Sequence, residues 1–212
     1  GQSDAFNKGF AHSSGRYLTW VNADDLMVPG ALMGIARAML RHPDCEWFTG
    51  NFFRFVDSTG KVSQIGWGPN YYPKVLQRKN SPIVTFGPSA FFSRRIYEAV
   101  GGIDVRFHNT MDVMLWSQFI MMGIRQRRIR KMCWAFRLHA ASKTSEFPGF
   151  MRDQKLVDQS IWEHRIRREE TGYHESRIMH YIILLWRLFD GSYICRAWLA
   201  LSHRTRRAFG CI

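Results

Sequence analysis

The sequence predicts an α/β fold. Apolar runs of strand character alternate with segments of helical period, Gly and Pro punctuate the joins, and one short apolar run stops abruptly at a pair of acids. The 212 residues suffice for one ordinary domain, and 46% hydrophobic content supports a buried core.

Taken in order, Ser3 and Asp4 can cap a helix through Ser13, with Phe6, Phe10 and Ala11 on its inner side and Gly15 as its stop. Residues 17–21, YLTWV, predict a strand buried on both faces. It ends in Asn22-Ala23-Asp24-Asp25, and Pro29 then opens a helix to about Arg41. Residues 47–56 and 62–65 predict strands flanking a turn at 57–60. Five Gly and Pro residues make 66–82 a loop with one short helix. A strand at 90–92 follows, then a helix at 94–100 ended by Gly101-Gly102, a helix at 111–122 stopped by Gly123, and a last strand at 132–138. Beyond Ser142 the pattern turns helical, at 149–190 and 193–209, rich in Arg and aromatics and broken at Asp190-Gly191-Ser192. The chain thus divides into an α/β part, 1–145, and a basic amphipathic helical tail, 146–212.

Charge narrows the partners. Thirty Lys and Arg against 17 Asp and Glu leave a net +13, which fits nucleic acid, an acidic membrane surface or a phosphorylated substrate. Residues 125–131, RQRRIRK, hold five of these cations, but no recognisable nucleic-acid module surrounds them, so nucleic acid is the weakest of the three. Four scattered cysteines without a C-x-x-C pair argue against a zinc cluster and a disulfide-stapled secreted domain, and favour a cytosolic setting. The most apolar run, 178–189, is interrupted by His180 and Arg187 and falls short of the ~20 residues of a membrane span.

Two adjacent carboxylates after a buried strand, Asp24 and Asp25, stand where α/β sheets bind ligands. Carboxylate oxygens suit Mg²⁺ or Mn²⁺, although the same acids could merely cap the following helix. Other stretches point one way. GQSDAFNKG (1–9), NADD (22–25), FGPSAFFSRRIYEAVGGID (86–104), TMDVMLW (110–116) and FRLHAASKT (136–144) together resemble the family 2 glycosyltransferases, in the order those enzymes use.

The resemblance implies a GT-A fold and transfer of a sugar from a nucleotide-diphosphate donor to a glycan or lipid-linked acceptor, with inversion, in cell-surface polysaccharide synthesis. It implies hexosyltransferase activity, a divalent metal cofactor (Mg²⁺ or Mn²⁺) and opening strands of the nucleotide pocket ahead of Gly1, so that the chain is N-terminally truncated. By the same resemblance Asp24 and His139 contact the metal, Asp4, Asn7, Lys8, Asn22, Asp25 and Lys143 line the donor, and Asp112 is the catalytic base. Each has a plainer alternative: a solvated lysine at Lys8, a packing histidine at His139, and at Asp112 an acid placed to suit the helix dipole. Asp104 shapes the acceptor loop, and Met111 and Val113 leave Asp112 without an acidic neighbour. The tail's aromatics and arginines suit helices lying on an anionic membrane at the inner face of the cell membrane, or packing on the protein's own core. A non-catalytic, basic membrane- or polyanion-binding chain derived from such an enzyme is the rival reading.

Overall fold

The computed structural model describes residues 1–66, 87–140, 154–172 and 177–189. Lys143, the expected helix at 193–209 and all but the first residue of the 66–82 loop lie outside them.

A six-stranded mixed sheet forms the middle layer. Its elements are α1 (Gln2–His12), β1 (Tyr17–Leu18), β2 (Leu26–Met27), α2 (Ala31–Arg41), β3 (Trp47–Val56), β4 (Lys61–Gly66), β5 (Ala90–Ser93), α3 (Arg94–Ala99), α4 (Met111–Met121) and β6 (Gln126–Leu138), followed by helices α5 (Gln154–Thr171) and α6 (Arg177–Phe189). The strand order is β1-β5-β3-β6-β2, with β4 also on β3; β3 and β6 run parallel and the other pairs antiparallel.

Alternation along β3 and β5 makes the sheet two-faced. Trp47 and Phe92 join Phe10, Ile96, Leu115, Trp116 and Phe119 on the face covered by α1, α3 and α4. Phe48 and Phe91 meet Ala31, Ile35 and Ala38 of α2 on the other. Through the first core runs a column of indoles: Trp20 stacks on Trp116 at 5.9 Å, and Trp116 on Trp47 at 5.4 Å.

Several expectations change. Ser3 does not cap α1: Gly1 is the N-cap, and the buried Ser3 hydroxyl instead donates to Phe107 O at 2.7 Å. Ala11 is exposed, because α1 buries Phe10 rather than a broad stripe. The strand expected over 17–21 shrinks to two residues at the sheet edge; Trp20 turns into the indole column and Val21 is exposed. Strand β6 starts six residues ahead of the expected 132, absorbing most of the basic run, since its backbone pairs with β3 from Trp47↔Gln126 onward. The expected helix over 149–190 is two helices, with Gly172 at φ +61° after the first.

Close approach explains Gly50. A Cβ there would stand 2.2 Å from Cys133 Sγ, where β3 and β6 shift register. Gly50→Ala is expected to cost roughly 1–3 kcal/mol through overpacking. Urea unfolding with an unchanged midpoint would contradict this.

Candidate active site

The acid loop is framed by the end of β6. Pairing of β2 with β6 (Leu26↔Ala135) carries the chain past Asp24 and Asp25 to the residues following Ala135. There Arg137 N donates to Asp25 Oδ1 at 3.0 Å, and Arg137 Nε to Asp24 O at 2.7 Å. His139 Nε2 stands 3.1 Å from Asp24 Oδ2. Asn22 Nδ2 donates to Asp25 Oδ2 at 2.7 Å, while Gln2 at the start of α1 donates to Asn22 Oδ1. The structure therefore brings Asn22, Asp24, Asp25 and His139 into one cluster.

The two acids differ in environment. Asp25 is buried, both its oxygens accept bonds within the protein, and burial pushes its carboxyl up against the pull of Arg137 N–H and Asn22. Asp24 is 43% exposed and faces His139, which is 27% exposed. Geometry thus assigns Asp25 to holding the loop and leaves Asp24 and His139 facing outward. One carboxylate and one imidazole match the donor types of a Mn²⁺ site, and Asp24 alone the oxygen preference of Mg²⁺. Among the described residues no three His, Cys, Asp or Glu converge as a metal cluster, so the fit extends to these two groups only.

On α1, Lys8 Nζ pairs with Asp4 Oδ2 at 2.8 Å, and this bond holds the Asp4 carboxyl below and the Lys8 ammonium above its ordinary range. Both are well exposed. Asn7 is not: its amide donates to Ile103 O at 2.7 Å and accepts from Ile103 N and the Tyr97 hydroxyl. That ties α1 to the turn where Gly101 and Gly102 adopt positive φ. A donor contact by Asn7 would compete with these bonds.

Asp112 sits in the first turn of α4, its Oδ1 accepting from Val113 N at 2.8 Å. Burial pushes its carboxyl up, opposed by the Val113 and Gly87 N–H groups. Gly87 also abuts Trp20, two residues before Asn22, where a Cβ would come 2.6 Å from the indole. A carboxylate held at a helix N-terminus yet partly desolvated is equipped to accept a proton.

Sequence reasoning missed two residues. Arg137, inside the quoted FRLHAASKT stretch, received no role, although arginine's multiple donors fit it to bridging a loop. Glu163 was absorbed into the tail, yet it is fully buried and binds the turn before α4. The signal available was its spacing with Ile166 and Arg167, among exposed charges at Arg165, Arg168, Glu169 and Glu170.

The mixed sheet thus carries the acid loop at one edge and α4, with Asp112 in its first turn, on one face. Residues 1–101 match the glycosyl transferase family 2 model, so this stretch is family 2 glycosyltransferase sequence. The match includes the acid loop and α1 but ends before Asp112 and His139. No curated protein matches the chain in sequence. Among solved structures, similarity is found to S. aureus TarS 1-349 (13% identity, TM-score 0.46, covering 65% of this chain and 40% of that one). It is found also to the mannosyltransferase PcManGT from Pyrobaculum calidifontis in complex with GDP-Man and Mn²⁺ (20% identity, TM-score 0.46, covering 98% and 60%). The chain thus spans 40% and 60% of the lengths of these two proteins.

Proposed function

We propose that this chain belongs to a GT-A glycosyltransferase that moves a hexose from a nucleotide-diphosphate donor to a glycan or lipid-linked acceptor, with inversion, in polysaccharide assembly at the cell surface. The observation that carries this is the outward pair of Asp24, on the acid loop within the family-matched stretch, and His139, just after β6. Asp24 and His139 would hold Mg²⁺ or Mn²⁺, whose charge offsets that of the departing diphosphate. Asp112 takes the proton of the acceptor hydroxyl as its oxygen bonds the anomeric carbon from the face opposite the leaving group. The bond from that carbon to the diphosphate breaks, and its electron pair leaves with the nucleoside diphosphate. Lys8 and Asp4 offer an exposed charge pair to the donor, Asn22 lines the acid loop, Asn7 and Asp25 serve the site by fixing α1 and that loop, and Lys143 is kept as a donor-binding residue on the resemblance alone. Incubation with a panel of sugar nucleotides and Mn²⁺ tests the reading. Release of nucleoside diphosphate that needs the metal supports it; none from any donor by the full-length protein removes it.

A second reading, attachment to an anionic membrane at the inner face, draws on α6. No helix among the described residues is long and apolar enough to cross a membrane. Yet Ile178, Tyr181, Ile182, Leu185, Leu188 and Phe189 form an exposed apolar stripe, Phe189 at 83%, while Met179, Ile183 and Trp186 pack inward. Arg177 and Arg187 flank the stripe, and residues 190–212 add four arginines against one aspartate. This composition favours an anionic lipid surface. The chain is expected to cosediment with anionic vesicles, to be largely released by ~0.5 M salt through screening, and to bind severalfold less as Leu185→Glu. Equal binding to neutral vesicles at low salt counts against the electrostatic part.

A further inference from the structure

Helix α4 begins without the usual side-chain cap. Its N-cap residue, Thr110, makes no side-chain bond to the helix, and the turn before it, residues 108–110, presents three consecutive backbone N–H groups. Such donors need acceptors when buried, at roughly 1–3 kcal/mol for each one left unmet. Glu163 supplies them from α5. Its Oε1 accepts from His108 N at 2.7 Å, its Oε2 from Thr110 N at 2.9 Å and Thr110 Oγ1 at 2.8 Å, and Asn109 N lies 3.2 Å from both oxygens. Glu163 is 0% exposed. One turn on, the buried Arg167 donates to Ser117 Oγ at 3.2 Å, and Phe107 meets Trp162. A helix lying beyond the family-matched residues is thereby fastened to the base-bearing helix at two points.

Asp112 is the other carboxylate at this helix start, and its Oδ1 already accepts from Val113 N. Were the 108–110 amides unmet, Asp112 would be the nearest anionic acceptor in sequence. We infer that Glu163 is a positioning residue for sugar transfer: by taking the amides of residues 108–110 it fixes the start of α4 and leaves the Asp112 carboxylate available to the acceptor hydroxyl. This rests on the reading of Asp112 as base, and it extends that reading to the function of the helical tail. Glutamine at 163 keeps the length but exchanges one accepting oxygen for a donating NH₂, which faces N–H groups.

The test compares the full-length protein with Glu163→Gln, and needs no substrate for its first arm. In Glu163→Gln, amide hydrogen exchange at 108–113 is expected to accelerate at least tenfold, with cooperative unfolding retained. The Asp112 carboxyl, followed by carbon NMR, is expected to titrate lower as its buried site loosens; the N–H groups of Val113, Gly87 and Asp112 itself face it. In the second arm, nucleoside diphosphate release from a sugar-nucleotide panel with Mn²⁺ is expected to lose about 10- to 100-fold in kcat with donor KM unchanged, the scale of a ~1 Å misplacement. If Glu163→Gln does not fold, Thr110→Val, which removes one of the bonds, is read in its place with the same directions. Wild-type exchange, titration and kcat in the variant overturn the proposal. A slow Asp112→Asn beside a normal Glu163→Gln sinks only Glu163, whereas an Asp112→Asn at the wild-type rate sinks the base reading itself.

Discussion

Asp112→Asn in the full-length enzyme is expected to lower kcat by ~10²- to 10⁴-fold, the usual contribution of a general base. Donor affinity should hardly change, because the side chain lies at the start of α4, away from the Asp24–His139 pair in the hydrogen-bond pattern. Asparagine can keep the bond from Val113 N, so the packing of Leu115 and Trp116 should survive. The burial that raises the Asp112 carboxyl also fixes a pH signature. Turnover should fall on the acid side at a pH above the ordinary carboxylate range. Stability moves oppositely: a folded pKa above the unfolded one means the ionised acid costs the native state at neutral pH. Asp112→Asn should therefore melt higher than the wild type at pH 7.5. That gap should close as pH falls through the raised pKa toward the unfolded value. A variant with near-normal kcat, or one whose donor affinity drops in step with rate, would move Asp112 out of the base role.

Asp24→Asn is expected to lose metal-dependent turnover by at least ~10²-fold, the scale of removing one preorganised electrostatic contact to developing charge. Asparagine can still bond His139, and the loop remains held by Asp25, Asn22 and Arg137. The fold should persist, so a thermal melt within about 1 kcal/mol of the wild type separates loss of function from loss of structure. Manganese titration by electron paramagnetic resonance should show weaker binding in the variant. Unchanged manganese-dependent release of nucleoside diphosphate would take Asp24 out of the mechanism.

Local signals served well where the physics is local. Trp47–Val56 was legible to the residue because a long β-rich apolar run admits one reading. Gly101-Gly102 and Gly123 marked helix ends because positive φ favours glycine there. What escaped was made by distant partners. The C-terminal end of α1 is held by Arg94, whose guanidinium donates to the carbonyls of Phe10, Ser13 and Gly15; the Ser13 partner lies 81 residues away. The basic run became strand because β3 supplied a parallel partner, and charge says nothing about pairing. In the acid loop the sequence marked residues that cluster in the structure but could not tell them apart: burial separates Asp25 from Asp24, and burial is a tertiary property. Glu163 was hidden for the same reason, since an acid in an arginine-rich helix looks solvated until the helix is docked.

The column Trp20–Trp116–Trp47 has an optical consequence. Trp20 lies two residues before Asn22, and Trp116 one helical turn after Asp112. Two stacked indoles 5.9 Å apart, with 8° between their planes, are close enough to couple their strong far-ultraviolet transitions, so the pair should add an exciton band to the circular dichroism spectrum. Because one indole rides with the acid loop and the other with α4, the helix of Asp112, that band is a built-in gauge of their separation. Donor or metal binding that shifts one against the other should change its amplitude, with no label attached to the protein.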